Sequence, residues 1–331
     1  MSEKSDIINK HILIFGGTGS LGYELNKKYV KNNKITNFSR DENKHWKMKL
    51  DFKDNVYSNN INFIIGSIHN YNSIEQAILR TNPDIIIIAA ANKHIDVCEI
   101  NTEESISTNI IGVQNILTAI EKNKNFIKIN NVIFISSDKA CSPINNYGLC
   151  KAISETLIVE KSFYIPEIKF INVRYGNVLN SRGSIIPILH ELGKNNNIKN
   201  YNLTHQNMTR FIMTLREAVD LIEYAILYGE NGDTIIPKLC SMNIKDLLEI
   251  YAEKYNKDII ITGLRPGEKI NETLINESQS SRLVFKDNYK HIKSVLKYPN
   301  ILNNDIKEYN STFNILNKDE LKKFLIEENL L

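Results

Sequence analysis

The 331-residue sequence has no long apolar run and no marked excess of charge of either sign. Its longest apolar run, Ile85 to Ala91, is much shorter than the roughly 20 residues that a helix needs to cross a bilayer, so we expect no membrane segment. Lys and Arg number 41 against 38 Asp and Glu, and the resulting charge of +3 is too small to favour nucleic acid as a partner. The first residues lack the apolar stretch of a secretory signal, and we therefore expect a cytoplasmic location.

The sequence also has few cysteines, and their spacing suits neither a metal nor a disulfide. Cys98, Cys141, Cys150 and Cys240 form no C-x-x-C pair and have no histidine at zinc-finger spacing. We therefore expect four free thiols and no metal site. The composition, with 42% hydrophobic and 24% charged residues, is typical of a globular protein.

The first half of the chain alternates short apolar segments with segments of helix length. Six apolar segments rich in β-branched residues have the length of strands: Ile12–Phe15, Ile35–Phe38, Ile61–Ile65, Ile85–Ala89, Val132–Ser136 and Ile168–Val173. Strands that are apolar throughout are buried on both faces, so the pattern predicts an α/β fold with a doubly wound parallel sheet. The spacing of apolar residues predicts one covering helix from about Ser105 to Glu121.

This alternation fades after about Tyr175, where shorter elements begin. At about 150 residues per domain, the length allows two domains. We expect a dinucleotide-binding domain over residues 1–175 and a smaller substrate-binding part over residues 176–331, with the chain free to return to the first domain. An amphipathic helix is predicted near Lys318 to Asn329, and the stretch from Glu277 to Asn310 shows no clear periodicity.

A glycine-rich turn comes directly after the first predicted strand. In FGGTGSLG, Gly16, Gly19 and Gly22 are spaced three apart, and an amphipathic helix comes next. Glycines let the backbone approach a pyrophosphate, which binds to the free N–H groups at the positive end of the helix. Because the motif stands in the strand–turn–helix context that this binding requires, it predicts a dinucleotide site rather than a plain tight turn.

The residues after the second predicted strand indicate which dinucleotide binds. NAD enzymes usually place an acidic residue here on the ribose hydroxyls, whereas this chain has Ser39, Arg40 and Asp41, with Lys44 one turn on. A guanidinium and an ammonium suit a 2′-phosphate, and Asp41 has the position of a helix cap. The pattern therefore favours NADP over NAD.

A tyrosine four residues before a lysine places both side chains on one helical face. This spacing occurs three times, at Tyr23/Lys27, Tyr147/Lys151 and Tyr289/Lys293. Only the second pair lies after the fifth buried strand, with Ser137 ten residues before Tyr147, and we interpret the other two as solvated helix faces. We expect Lys151 to supply part of the lowering of the pKa of the Tyr147 phenol and the positive nicotinamide to supply more, so that Tyr147 takes a proton from a sugar hydroxyl that Ser137 also binds.

Asp138 and Lys139 lie between this serine and this tyrosine. Adjacent charged residues often form a surface ion pair, but these two stand at the end of a strand beside the predicted base. Once a sugar carbon is oxidised to a ketone, the neighbouring C–H becomes acidic, and a neutral amine beside a protonated carboxyl can then drive loss of a β-hydroxyl. We expect Lys139 to be neutral for this role, through burial or a cationic cofactor.

Seven motifs of the sequence point to one family. They are GGTGSLG, SRDENK, AAANKH, SSDKACSPINNYGLCK, VRYGNVLNSRGSIIP, MTRF and GLRPGEK. Together they resemble the soluble, inverting UDP-N-acetylglucosamine 4,6-dehydratases of the extended short-chain dehydrogenase/reductase superfamily, from about residue 10 to residue 275. The glycine loop marks the superfamily, whereas Asp138-Lys139, with Pro143-Ile144-Asn145 and Tyr147 after it, marks the subgroup.

The resemblance implies a reaction cycle at one site. NADP takes hydride from C4 of UDP-N-acetylglucosamine with Tyr147 as base, Lys139 removes the C5 proton while Asp138 protonates the departing C6 hydroxyl, and hydride returns to C6. Reprotonation of C5 from the opposite face gives UDP-2-acetamido-2,6-dideoxy-L-arabino-hex-4-ulose. The resemblance thus implies a lyase with tightly bound NADP, which acts as a homo-oligomer, a dimer or a hexamer.

The resemblance also implies which residues contact the ligands. The expected cofactor contacts are Gly16, Thr18, Gly19, Ser20, Leu21, Gly22, Ser39, Arg40, Lys44, Ser67, Ile68, Ala89, Ala90, Lys93, Tyr147 and Lys151. The expected substrate contacts are Lys93, Asn177, Arg182, Ser184, Thr209, Arg210, Arg265 and Glu268, with the arginines suited to the UDP diphosphate. Ser67 stands where the family has aspartate, which weakens the expected adenine contact.

Two other functions stay open from the sequence. A UDP-N-acetylhexosamine 4-epimerase needs Tyr147, Lys151 and Ser137 but does not need Asp138 and Lys139 as an acid and base. A non-catalytic NADP-binding protein would have a degraded tyrosine, lysine and serine set, whereas all three residues are present.

Overall fold

The structure is a computed structural model that describes residues 7–298 and 307–331. Residues 299–306, within the stretch that shows no periodicity in sequence, lie outside the described part. No helix in the described ranges is long and apolar enough to cross a membrane.

The first 175 residues alternate strands and helices. The elements are β1 (His11–Phe15), α1 (Ser20–Tyr29), β2 (Lys34–Ser39), α2 (Glu42–Asp51), β3 (Ile61–Ile65), α3 (Tyr71–Thr81), β4 (Ile85–Ile88), α4 (Ile95–Ile100), α5 (Thr102–Ile106), α6 (Gly112–Asn123), β5 (Asn131–Ile135), α7 (Asn146–Tyr164) and β6 (Lys169–Val173). The six predicted strands are confirmed to within one residue at each end. The helix predicted from Ser105 to Glu121 is found as the end of α5, a π-helical turn and α6.

The rest of the chain forms shorter elements. They are β7 (Asn177–Val178), α8 (Ile185–Lys194), β8 (Asn200–Leu203), β9 (Thr209–Met213), α9 (Leu215–Tyr228), β10 (Thr234–Pro237), β11 (Cys240–Asn243), α10 (Ile244–Tyr255), β12 (Asp258–Ile261), β13 (Thr273–Ile275), α11 (Glu277–Ser280), β14 (Leu283–Lys286), β15 (Tyr289–Ile292), β16 (Tyr309–Asn310), β17 (Ile315–Leu316) and α12 (Lys318–Glu327). The predicted C-terminal helix is thus confirmed.

Within the described residues, the main sheet has nine strands in the order β14-β15-β10-β6-β5-β4-β1-β2-β3. Strands β1 to β6 and β10 are parallel, while β15 pairs antiparallel with β10, and β14 pairs antiparallel with β15. This is the doubly wound α/β sheet that the sequence predicts. Strands β10, β14 and β15 come from beyond residue 175, so both parts of the chain build the sheet.

Burial on both faces of the sheet explains why its strands are apolar throughout. Along β1, Ile12 and Ile14 belong to one buried cluster, and Leu13 and Phe15 belong to the cluster on the opposite face. Helices α1 and α9 supply apolar residues to the first cluster, and α3, α6 and α7 to the second. In the second part of the chain, a third cluster joins α8, α10 and α12 to residues of a smaller sheet, which consists of β7, β9, β11 and β17.

Candidate active site

A cavity of about 1800 Å³ runs along the carboxyl ends of the parallel strands. Gly16 after β1, Ser39 at the end of β2, Ala89 after β4, Ser136 after β5 and Tyr175 after β6 all line it. In sheets of this kind, ligands bind outside the carboxyl ends of the strands. The cavity is therefore the candidate active site.

The glycine loop forms one end of this cavity. Gly16 has a φ of +87°, and a Cβ atom there would lie 2.6 Å from the backbone nitrogen of Ala90, so only glycine fits. Gly19 caps α1 without a side-chain hydrogen bond, and the first turn of α1 carries no acidic residue. The N–H groups at the start of α1 are thus open to a negatively charged ligand, which fits the pyrophosphate of a dinucleotide.

The residues expected at a 2′-phosphate lie at the edge of this end. Arg40, Lys44 and Ser39 line the cavity. Arg40 Nη1 lies 3.6 Å from a carboxylate oxygen of Glu104, and Lys44 Nζ lies 2.9 Å from Asp41. Asp41 also accepts a hydrogen bond from the Lys44 N–H at 3.1 Å, so its predicted capping role is confirmed. Both cations therefore have carboxylate partners within the protein.

A tight turn after β5 places the predicted acid and base. Ser137 Oγ accepts a hydrogen bond from the Lys139 N–H at 3.2 Å and so begins a 3₁₀ turn over Asp138–Ala140. The Ser137 hydroxyl donates to Asp138 Oδ1 at 2.8 Å, and Lys139 Nζ donates to the same oxygen at 3.0 Å. Asp138 is fully buried, and the Lys139 side chain is 15% exposed. The two residues thus form a buried ion pair instead of a surface pair.

Helix α7 begins where it can bring Tyr147 to this turn. The Asn145 side chain caps the helix by accepting the Gly148 N–H at 2.8 Å, which puts Tyr147 in the first turn and Lys151 one turn later. A Cβ atom on Gly148 would lie 2.2 Å from the Lys139 carbonyl oxygen, so this glycine permits the close approach of helix and turn. Tyr147 lies within hydrogen-bonding reach of Ser137.

Burial, and not Lys151, has the largest effect on the pKa of Tyr147. Burial raises the pKa of Tyr147 to about 12, although Lys139 and the hydrogen bond with Ser137 act to lower it. Lys151, a predicted source of that lowering, instead donates from its ammonium to the carbonyl of Ile135 at 2.7 Å. Burial also lowers the pKa of Lys151 to about 8. The protein side chains alone therefore do not lower the pKa of the phenol towards neutral pH.

The charge on Lys139 differs from the neutral state that the sequence analysis predicts. Burial alone lowers the pKa of Lys139, but the carboxylates of Asp138 and Glu272 outweigh it and hold this pKa above its ordinary value. Glu272 Oε1 lies 3.5 Å from Lys139 Nζ. No motif of the sequence singles out Glu272, because it is distant from Lys139 along the chain and only the fold brings the two side chains together.

Lys93 and Arg182, both expected at the substrate, lie together on the cavity wall. Lys93 Nζ donates to the Arg182 carbonyl at 2.7 Å, and the Arg182 guanidinium donates to the carbonyl of Thr18 in the glycine loop. Burial and the charge of Arg182 lower the pKa of Lys93. These contacts link the loop before α8 to the cofactor end of the cavity.

Helix α8 presents its N-terminus to the same space. Ser184 caps this helix without a side-chain hydrogen bond, and its buried hydroxyl has no partner among the described residues. Arg182 lies two residues before it. Arg265 and Glu268, which also line the cavity, form an ion pair at 2.6 Å. An unpaired hydroxyl and a helix N-terminus without a side-chain cap fit a phosphate group.

Most of the predicted contact residues lie together on the cavity wall. Those lining it are Gly16, Thr18, Gly19, Ser20, Leu21, Gly22, Ser39, Arg40, Lys44, Ile68, Ala89, Ala90, Lys93, Ser137, Lys139, Tyr147, Lys151, Asn177, Arg182, Ser184, Arg210, Arg265 and Glu268. Asp138 lies directly behind Ser137 and Lys139 and contacts both.

Two predicted contacts do not lie on this wall. The Thr209 hydroxyl is buried and bonded to Asn271 at 2.8 Å and to Ser311 at 2.7 Å, so it holds β9 to the C-terminal segment instead of binding a ligand. Ser67 does not line the cavity, and its hydroxyl accepts the His69 N–H at 3.3 Å. Both side chains are used within the protein.

The other two tyrosine–lysine pairs lie outside the cavity wall. Tyr23 and Lys27 are on helix α1, where Lys27 is exposed, as predicted. Tyr289 lies on strand β15, so the prediction of a solvated helix face is wrong for this pair. Lys293 comes directly after β15, is buried, and donates to Asp233 at 3.0 Å. A spacing of four fits a helix, but pairing with β10 and β14 makes this segment a strand.

Comparison with known proteins gives four informative similarities. Residues 12–294 match the family described as polysaccharide biosynthesis protein. An uncharacterized membrane protein of Methanocaldococcus jannaschii is 37% identical over 333 residues, covering 96% of each chain. A UDP-glucose 4-epimerase of Rickettsia bellii is 37% identical over 295 residues, covering 86% of this chain and 83% of that protein. The solved structure of Pen from Bacillus thuringiensis has a TM-score of 0.90 and 33% identity, and covers 98% of this chain and 99% of that chain.

Proposed function

The chain belongs to the polysaccharide biosynthesis protein family, and from this premise we propose that it is a UDP-N-acetylglucosamine 4,6-dehydratase that inverts C5. The observation that carries the proposal is the buried contact of 3.0 Å between Asp138 and Lys139, beside Tyr147. Removal of water from a ketosugar requires a base for the proton on C5 and an acid for the departing hydroxyl on C6. A proton that moves from Lys139 to Asp138 across this contact produces the neutral amine and the protonated carboxyl without any exchange with solvent.

Each side chain of the site has a role in this proposal. Tyr147 takes the proton of the C4 hydroxyl, which Ser137 binds at the same oxygen. Lys139 then takes the C5 proton. Asp138 gives its proton to the departing C6 hydroxyl, and its Oδ2 atom has no hydrogen-bond partner among the described residues. Lys151 adds positive charge one turn from Tyr147.

In this proposal NADP is the resident cofactor of the cavity. The glycine loop would hold its pyrophosphate at the start of α1, and Arg40 with Lys44 would hold its 2′-phosphate. When bound, NADP would accept hydride from C4 and return it to C6. Lys93 and Tyr147 line the same cavity as the glycine loop and the start of α8, and we propose that the reacting sugar lies against them.

A 4-epimerase is the second candidate, since a relative carries that name. Epimerisation at C4 uses Tyr147 and Ser137 and leaves Asp138 and Lys139 without a task. A buried ion pair is costly to desolvate, and it is therefore weak as a purely stabilising feature. The buried position of this pair beside Tyr147 supports dehydration over epimerisation.

The product of the purified protein with UDP-N-acetylglucosamine separates the two functions. Dehydration gives a 4-keto-6-deoxy sugar, whereas epimerisation gives UDP-N-acetylgalactosamine. Proton NMR distinguishes them by the methyl group at C6, which only dehydration forms. A mixture that contains UDP-N-acetylgalactosamine and no methyl signal would refute the proposal.

We also propose that the protein acts as a homo-oligomer. Several apolar side chains of α4, α5 and α7 and of the π-helical turn between α5 and α6 are exposed: Ile100, Ile106, Ile111, Leu149 and Ile153. Ile100 is 83% exposed, and a group of exposed apolar side chains is typical of a surface that another protein covers. Light scattering of the purified protein tests this, and a mass equal to one chain would contradict it.

A further inference from the structure

Glu272 is a buried carboxylate that none of the steps above uses. It precedes β13 and is 2% exposed. Its backbone is fixed on both sides, because its N–H donates to Ser311 Oγ at 2.9 Å and its carbonyl accepts the Ser311 N–H at 2.8 Å. The C-terminal segment thus holds this residue firmly at the wall of the cavity, which Glu272 also lines.

The carboxylate of Glu272 faces three cations. Lys139 Nζ lies 3.5 Å from Oε1, Arg210 Nε lies 3.8 Å from Oε1, and Lys269 Nζ lies 3.9 Å from Oε2. None of these distances is that of a short hydrogen bond, and Oε2 has no hydrogen-bond partner among the described residues. A buried carboxylate with an unused oxygen is costly to desolvate, so its position beside Lys139 calls for an explanation.

Lys139 is the neighbour that takes part in the chemistry. The charged or titratable groups facing it are Asp138 on the same turn, Glu272 before β13, Arg210 on β9 and Tyr147 on α7. Its Nζ also lies 3.4 Å from the side-chain oxygen of Asn177 on β7. The amine is therefore in contact with two carboxylates, one from its own turn and one from a distant segment.

We propose that Glu272 is a positioning residue for the dehydration step, which holds Lys139 in place and stabilises the ammonium that forms as Lys139 takes the C5 proton; this rests on the proposed function. In that step the C5–H bond breaks, its proton goes to the Lys139 amine and its electron pair forms the C5–C6 double bond. The C6–O bond breaks, and the hydroxyl leaves as water with the proton of Asp138.

Asp138 alone cannot stabilise the ammonium throughout this step. It begins the step protonated and neutral, and becomes a carboxylate only as the hydroxyl leaves. The carboxylate of Glu272 takes no part in this proton transfer and lies 3.5 Å from Lys139 Nζ, so it attracts the positive charge on Lys139 from the moment that charge starts to form. The negative charge of Glu272 also makes it harder for the pair of Asp138 and Lys139 to lose the proton that the two side chains share.

This division of roles predicts a pH effect of known sign. Above the pH at which the pair loses its proton, Asp138 has none to give, and dehydration falls. Without the charge of Glu272 the pair loses this proton more easily. The alkaline limb of activity therefore moves to lower pH, by about 1 to 3 pH units for a charge at this distance.

The test compares E272Q with E277Q, whose carboxylate is exposed at the start of α11. Turnover of UDP-N-acetylglucosamine with hydrogen or deuterium at C5 is measured across the neutral and alkaline range. We expect E272Q to show the shifted alkaline limb and a larger C5 isotope effect, because proton transfer to Lys139 becomes slower. E277Q should match the wild type. E272D keeps the charge at a longer distance and should lie between E272Q and the wild type.

An E272Q variant that is slower but has the wild-type limb and isotope effect would overturn the inference, since packing alone would then explain Glu272. If E272Q fails to fold, E272D decides, and an unshifted limb in E272D overturns it. These outcomes leave the proposed function intact when the wild type forms the 4-keto-6-deoxy product. A wild type without that product overturns both.

Discussion

Replacement of Lys139 by methionine tests the buried ion pair directly. Methionine keeps most of the volume and the apolar stem but removes the ammonium that lies 3.0 Å from Asp138 and 3.5 Å from Glu272. Removing one partner of a buried pair costs about 3 to 5 kcal/mol, because the other charge stays behind unpaired. Since the Lys139 side chain is 15% exposed, we expect the lower end of this range.

The assay is thermal unfolding of K139M, D138N and the double variant. A loss of about 3 kcal/mol lowers the melting temperature by roughly 5 °C in a protein of this size. The double variant should recover part of the loss, because an asparagine at position 138 carries no charge to bury.

The same variant separates the two halves of the reaction. K139M should still oxidise C4, which depends on Tyr147, but should form product at least about 100-fold more slowly, the usual range for loss of a general base. Reduced nicotinamide then accumulates and is measured by its absorbance. A K139M protein that melts like the wild type, with a double variant no more stable than the single, would refute a buried, coupled pair.

Three further predictions concern the cofactor end and the phenol. R40A should lower the preference for NADP over NAD by about 10- to 100-fold, because that factor corresponds to the loss of one charge-assisted hydrogen bond. Fluorescence titration gives the dissociation constants of both cofactors, and an unchanged ratio of the two constants would contradict a role for Arg40. Y147F should slow C4 oxidation by about 100-fold or more in a stopped-flow assay. Since burial raises the pKa of Tyr147 to about 12, the rate of C4 oxidation by the wild type should rise with pH. A rate that does not change with pH would contradict a phenol base. G16A should cost about 1 to 3 kcal/mol in thermal unfolding because of its positive φ, and wild-type stability would contradict the fit of glycine there.

The strands and the glycine loop are predictable from the sequence because their causes are local. A run such as Ile85–Ile88 is apolar since both faces of β4 are covered, and that pattern is visible in the sequence alone. Gly16 and Gly19 are recognisable because they stand at fixed distances from β1. The location of Asp138 and Lys139 is predictable because their turn comes directly after β5. Residues that follow a strand of a parallel sheet lie at its carboxyl end, where ligands bind.

Other features depend on contacts between distant parts of the chain. Glu272 reaches Lys139 only because Ser311 and the C-terminal segment hold it there. The Thr209 hydroxyl is bonded to partners that the sequence does not reveal, and the Lys293 ammonium is buried against Asp233. Protonation is the least predictable property, since it depends on the balance of burial and every nearby charge.

The most direct test of the proposed function is the product that wild-type protein forms from UDP-N-acetylglucosamine with NADP. We expect NMR to show a UDP-linked 4-keto-6-deoxy sugar of L configuration, with solvent deuterium at C5 when the reaction runs in deuterated water. Formation of UDP-N-acetylgalactosamine without loss of water, or of no product at all, would contradict it.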